Sequence, residues 1–379
     1  MKPTTIVASS PTICAPIVEP EIGRLTESEE ITISFYENDV PAFIETELER
    51  LYENIFSSLA KFRIEGTARN ASAYVVRKGG KVITVFLFRR ENGKVDVINE
   101  VIKIDEVDVR RFAHTIFTAF KSATVISFHA MQTTIRKLPF PYQRFNCRED
   151  IVLTLPDTSQ EYLAGLGKNM RTSIKRYMKK LESNFSSFCY EVYTDEEVSE
   201  QHIRDIIRLS NARMTVKNQV SAHTEEKTEQ LIRIVKMYGL VGVAMIDGRV
   251  CAGVICSRSA ANYFMHVIAH DPTYDEYRLG KLCCYLTICE CINRGGKEFH
   301  FLWGRYEYKY RLLGVQRDLD HLTVYRSRAQ FLLNSNMVLK NAYKGYGRQA
   351  KRWLLDPKRT DSFVGRIATK VVDSMRNLR

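Results

Sequence analysis

The sequence predicts an α/β protein built from two related halves, with mixed, mostly antiparallel sheets flanked by helices. Three observations carry that expectation. The order strand, helix, three-strand meander, helix, strand occurs twice along the chain. Glycine-bearing turns separate runs of alternating β-branched residues, and apolar positions at three- and four-residue steps mark the intervening helices. A length of 379 residues is long for a single core, so two domains are the default.

Residues 1–30, Pro/Ser/Thr-rich, read as a flexible tail. Their opening lacks the charged-then-apolar layout of a secretory signal, and no apolar run reaches bilayer length, so a cytoplasmic location is expected. "ITISFY" is the first strand of a half covering 31–149. Residues 41–62 place Ile44, Leu48, Leu51, Ile55, Leu59 and Phe62 on one face and predict a helix. Gly79-Gly80 and Asn92-Gly93 supply the positive φ angles of tight turns, giving a three-strand meander. A helix around 107–121 and the strand "ATVISFHA" close this half.

Between the halves, early in the second domain expected over 150–326, lies "LGKNMRTSIKRYMKKLE". Leu166, Met170, Ile174, Met178 and Leu181 form an apolar stripe. Lys168, Arg171, Lys175, Arg176, Lys179 and Lys180 fill the other faces, as a solvated surface or as an anion-facing ridge. Then follow the strand "FCYEVYTDEE", helices over 197–214 and 224–237, and a second meander turned at Asp247-Gly248 and between Ser259 and Asn262. An all-round apolar helix over about 279–293 must be buried against a sheet. The strand "EFHFLWG" ends at Gly304, which lets the backbone turn out of the sheet.

Composition narrows the function. Nine cysteines cannot all pair within one chain, and "CCYLTICEC" has no CxxC pair, so it reads as core packing with no metal. The net charge is +12, but residues 327–379 hold twelve Lys/Arg against three Asp, leaving +3 for the rest. This basic helical extension, with Ile367, Val371 and Met375 on one side of its last segment, fits a helix docked on its own domain or peripheral contact with an anionic membrane. No specific nucleic-acid partner is expected.

Phosphate-loop, nucleophile-elbow, zincin and dinucleotide fingerprints are absent from the sequence. What stands out is "FMHVIAHDPTYDEYRLGKLCCYLTI", a strand running into a helix start at Arg278, Leu279, Gly280 and Lys281. Unpaired amides and the helix dipole suit an anion there. The first half has no glycine at the corresponding helix start and is expected to be structural.

The order meander, "YRLGK", buried helix, strand resembles the acyl-CoA-binding half of the GNAT N-acyltransferase fold. Leu282 takes the place of that loop's second glycine. Together with "LGKNMRTSIKRYMKKLE" and "FHFLWGRYEYKYRLLG", the chain is similar to the tandem GNAT-like branch of polysaccharide and cellulose biosynthesis clusters, which is related to Fem-type aminoacyltransferases. That branch usually has an aspartate where His300 stands and acids where Arg305 and Tyr306 stand.

The resemblance implies direct transfer from acetyl-CoA or another acyl-CoA to an amine or hydroxyl of a small-molecule or glycan-precursor acceptor. It places the thioester between the last meander strand, at Val267, Ile268 and Ala269, and the strand ending at Gly304. Tyr308 is the expected acid, with Tyr306 in reserve, and His266, His270 and Glu307 compete for the base. His266 and His270 are expected on one strand face, with Asp271 orienting His270. Arg171, Lys175, Tyr306 and Lys309 are the expected substrate contacts, Lys309 through an anionic group. Two rivals are an aminoacyl-tRNA donor, as Fem-type enzymes use, and an idle GNAT-like scaffold binding nucleic acid or membrane through its tail.

Overall fold

The computed structural model describes residues 30–216 and 223–354. Residues 1–29 of the expected tail at 1–30, and the last basic segment, 355–379, lie outside them.

The first half opens with β1 (Ile31–Tyr36), α1 (Phe43–Tyr52) and α2 (Leu59–Ile64). The single helix expected over 41–62 is broken. Glu53 takes a left-handed conformation at φ 44°, and the Asn54 side chain accepts the Phe56 amide, starting a 3-10 turn at Ile55–Ser57. The Asn54 amide group donates to the carbonyls of Glu100 and Val101, both at 2.9 Å, a tertiary bond that no helical period reports. The meander follows as β2 (Ser72–Lys78), β3 (Lys81–Glu91) and β4 (Lys94–Val97), then α3 (Glu106–Ala119) and β5 (Val125–Met131).

A strand that the pattern did not announce, β6 (Tyr142–Thr154), spans the expected boundary at 149/150. Next come α4 (Ser159–Gly165), α5 (Lys168–Asn184), β7 (Cys189–Thr194), α6 (Glu200–Val216) and α7 (Glu225–Tyr238). The second meander is β8 (Gly239–Ile246), β9 (Arg249–Ser259) and β10 (Asn262–His270), followed by α8 (Leu279–Asn293), β11 (Glu298–His300) and α9 (Glu307–Arg311). The chain closes through another unannounced strand, β12 (Val315–Tyr325), then α10 (Arg328–Leu333) and α11 (Ser335–Leu354).

The twelve strands of the described residues form one sheet in the order β1-β2-β3-β4-β5-β12-β6-β11-β10-β9-β8-β7. The two halves mirror each other in it. Each is an antiparallel meander followed by one parallel pair, β4 with β5 and β10 with β11. Each parallel strand is then neighboured by a long strand from elsewhere in the chain, since β12 pairs with β5 and β6 pairs with β11. Joined antiparallel from Val315–Val152 to Val324–Tyr142, β6 and β12 make the seam.

Helices cover both faces of the second half. α8 packs on one, with Leu279, Leu282, Cys283, Cys284, Ile288 and Cys291 buried, as the all-round apolar pattern requires. α6 and α7 cover the other through Ile203, Ile206, Leu231 and Val235. Among the described residues no helix is long and apolar enough to cross a membrane.

Candidate active site

β10 and β11 run together for only three residue pairs, Asn262–Glu298 to Phe264–His300. β10 then continues to His270 while β11 stops, so the strand expected to reach Gly304 is much shorter. Leu302, at φ 54°, and Gly304, at φ 91°, carry the chain away. A Cβ on Gly304 would stand 2.7 Å from the Tyr306 ring, so glycine is required there twice over.

Lys309 holds this opening. Its ammonium is buried and donates to the carbonyls of Phe301 (2.8 Å), Leu302 (3.1 Å) and Trp303 (2.6 Å). On the other edge the Phe301 amide still donates to Ile151 at 2.8 Å, so the gap opens only toward β10. Buried carbonyls demand partners, and Lys309 supplies three donors from one atom. Burial pushes its ammonium down to about 8, yet three acceptors call for three N–H groups, which only the charged form has. The expectation that Lys309 binds a substrate anion is therefore corrected: its donors are already taken.

The gap is a cavity of about 670 Å³. Val267 and Ile268 line it from β10, and Phe301, Leu302 and Trp303 from the departing strand. Ala269 is buried against the α6–α7 layer instead. Tyr308 faces the cavity, stacked 6.2 Å from Tyr306 and edge-on to Phe301. Burial pushes its hydroxyl far above the usual phenol value, so it keeps its proton. That hydroxyl forms no hydrogen bond among the described residues. Tyr306 also lines the wall but is half exposed.

Of the three expected bases, two reach the cavity. A register shift between Met265 and Val267 changes the phase of β10, and it separates the histidines expected on one face. His266 lies beside Phe56 and its Nε2 meets Ser257 Oγ at 2.7 Å. Desolvation first, then Lys61, lowers it to about 3, so it is neutral at pH 7. His270 falls on the α8 side with Ile268, its Nε2 2.7 Å from Asp275 Oδ1. Asp275, not the expected Asp271, is its partner; Asp271 caps the next turn by accepting the Thr273 amide. Glu307 is exposed at the start of α9, paired with Arg311 at 2.6 Å and outside the cavity wall.

The start of α8 separates this cavity from a second one of about 770 Å³, and Lys281 lines both. Arg278 caps the helix in a left-handed conformation without a side-chain bond to the helix amides, while its carbonyl accepts the amides of Lys281 and Leu282. The Leu279 and Gly280 amides have no acceptor among the described residues. Leu279 itself is buried core. A Cβ on Gly280 would stand 2.6 Å from His270 Nδ1, so this glycine makes room for the imidazole first. The second cavity gathers Lys168, Arg278, Lys281 and Arg311, with Asn169 and Tyr177. Arg176, then Arg278, hold the Tyr177 phenol below its usual value. Four cations and a free helix start fit a pyrophosphate-bearing donor.

The ridge on α5 is corrected in detail. Lys175 is exposed and lines neither cavity, and Arg171 donates to the Ala164 carbonyl. Lys168, Asn169 and Tyr177 of that helix face the second cavity. Sequence reasoning also missed Phe56, which the broken first helix delivers to the first cavity, and Ser210, Arg213 and Met214 from α6. At the end of β11, His300 is buried between the Asp150 carboxylate (2.7 Å) and Glu298 (3.3 Å) and stacks on Phe264. Its two carboxylates outweigh burial and raise its pKa. An acid among the apolar residues of "EDIVLT" was the available signal for Asp150.

Residues 168–310 match the family model described as an acetyltransferase (GNAT) domain. Two solved structures show the same fold over most of this chain. A crystal structure of FemX superposes with a TM-score of 0.60 at 6% identity, covering 78% of this chain and 98% of its own. A conserved protein of unknown function from Bacteroides thetaiotaomicron gives 0.51 at 11% identity, covering 76% and 98%. No curated protein matches the chain by sequence. The tandem GNAT-like architecture read from the motif order therefore stands, and its likeness to FemX is one of fold.

Proposed function

From a chain that carries a GNAT acetyltransferase domain on a tandem GNAT-like fold, we propose an acyl-CoA-dependent N- or O-acyltransferase working by direct transfer within a ternary complex. The carrying observation is the parted pair β10 and β11, held open by Lys309 and continuous with the cationic start of α8. Lys168, Arg278, Lys281 and Arg311 would hold the phosphates of the donor. Main-chain groups at Val267 and Ile268, on an edge that β11 leaves unpaired, would align its acyl arm. Bound there, the thioester supplies the activated carbonyl.

Tyr308, protonated and without a hydrogen bond of its own among the described residues, is set to donate its proton to the departing sulfur. His266, neutral and anchored by Ser257, accepts a hydrogen bond from the attacking amine or hydroxyl. Its low basicity suits it to orienting the nucleophile; as the new N–C or O–C bond forms and the C–S bond breaks, the proton that the nucleophile loses replaces the one Tyr308 gives to the sulfur, so the enzyme ends unchanged. Phe56, Trp303 and Tyr306 give the acceptor side flat apolar walls, compatible with a polar ring-bearing cell-envelope or polysaccharide precursor. A cytoplasmic setting, where such thioesters are made, agrees with eight described cysteines that are all unpaired.

A second reading keeps the site and takes aminoacyl-tRNA as donor. It is favoured by the exposed Lys175, Arg176 and Lys179 beside the second cavity. Thermal shift with acetyl-CoA, longer acyl-CoAs and charged tRNA separates the two. A donor at 100 times its Kd stabilises by about 2.7 kcal/mol. Response to an acyl-CoA supports the first reading, response to tRNA alone replaces it with the second, and silence with both rejects transfer at this site.

A further inference from the structure

α11 is already docked, and it still presents a second apolar face. Its inner side lies on β6 and β12. Asn341 is buried and donates to Thr323 Oγ1 at 3.1 Å, Gly345 meets Phe145, and Arg348 and Arg352 pair with Glu149 and Asp318. On the outer side, Leu339, Tyr343, Tyr346, Ala350 and Trp353 recur at steps of four and three. That line stays on one face for about 21 Å at ~1.5 Å per residue. Tyr343 is 81% exposed and Tyr346 73%, and Leu332 and Leu333 of α10 extend the surface at 71% and 75%.

The charge around this face is of one sign. No Asp or Glu occurs between Ser327 and Leu354. Arg328, Lys340 and Lys344 are exposed and form no ion pair among the described residues. A seam for a partner helix uses flanking acids to complement its bases, and a nucleic-acid surface has no use for bare leucines. Leucines at the centre, tyrosines and a tryptophan along the line, and unneutralised lysines beside it match the interface of an anionic bilayer, where aromatic rings sit at headgroup level.

We propose that the outer face of α10–α11 adsorbs to anionic membrane. Leu332, Leu333 and Leu339 enter the interface, Lys340 beside them meets lipid phosphates, and the exposed Arg328 and Lys344 add to the attraction for anionic lipid. The proposal is independent of the donor bound at β10–β11.

Co-sedimentation of the full chain with vesicles tests it. Binding is expected to phosphatidylcholine mixed with phosphatidylglycerol, weakened by added salt, and little to phosphatidylcholine alone. Leu339→Glu with Tyr343→Glu, and separately Lys340→Glu with Lys344→Glu, should each weaken binding by about tenfold or more, with an unchanged thermal unfolding midpoint. Absence of binding by the wild-type chain overturns the proposal. So does undiminished binding by the Leu339/Tyr343 variant, because the contact would then lie elsewhere. A dimer in sedimentation velocity that this variant dissolves, without vesicle binding, assigns the face to a second copy instead.

Discussion

Lys309 shows how far a residue's type can mislead about its role. A lysine after two tyrosines reads as a substrate contact, yet its three donors serve the carbonyls of Phe301, Leu302 and Trp303. Lys309→Met should cost roughly 3 kcal/mol or more in denaturant unfolding, because buried acceptors lose their partner. It should also abolish donor binding; a variant of wild-type stability would show the gap stands without it. Tyr308→Phe keeps the ring packing and removes only the proton, so turnover should fall about 10²-fold with donor affinity nearly unchanged in calorimetry. His266 gives a pH signature. Its folded pKa, about 3, lies below the ordinary ~6.5, so its contribution is complete above that value and is lost as pH falls toward 3. His266→Gln should therefore lose less stability than the wild type between pH 6 and 4, by on the order of 2 kcal/mol. His300, raised by Asp150 and then Glu298, acts in the opposite direction: its contribution is present below ~6.5 and fades as pH rises through its folded value. The two windows do not overlap.

At the scale of elements, the two related helix starts diverge in chemistry. α3 is closed by a reciprocal cap, Asp105 to the Asp108 amide and Asp108 back to the Asp105 amide. α8 has no side-chain cap and carries Arg278 and Lys281. Of these two helix starts, only the second suits an anion. Arg278→Glu with Lys281→Glu should weaken acyl-CoA binding about tenfold or more, read by calorimetry. Substitution at Gly280 is a poorer test, because its Cβ would strike His270. The buried α8 was legible almost to the residue, since only Lys281, Thr287 and Glu290 interrupt its apolar run before Asn293, and so were the turns at Asn92-Gly93 and Asp247-Gly248. β6 and β12 were not. Arg144, Arg148, Arg317, Asp318 and Asp320 occupy strand positions because they form ion pairs: Arg144 with Asp320 across the seam, Arg148 with Glu100, Arg317 with Glu298 of β11, and Asp318 with Arg352 of α11. Charge pairing of that kind erases the apolar alternation on which strand reading depends. The break at Glu53-Asn54 was equally hidden, because its cause is a bond to Glu100 and Val101, far along the chain.

At the scale of the molecule, the seam makes two halves into one body. β5 is completed by β12 and β11 by β6, so neither half finishes its sheet alone. Calorimetric unfolding should show one transition; two separated transitions would mean the halves melt independently. Motif order gave the tandem GNAT-like architecture, whereas the placement of Phe56 in the cavity of the second half needed coordinates. All of the functional reading depends on the gap between β10 and β11 receiving a thioester. The most direct measurement is a crystal structure of the full chain with acetyl-CoA. The acyl arm should lie along Val267 and Ile268, with its sulfur in hydrogen-bond reach of the Tyr308 hydroxyl and its phosphates at Arg278 and Lys281. A donor seated elsewhere, or β10 and β11 paired through to Trp303 with the cofactor excluded, would contradict it.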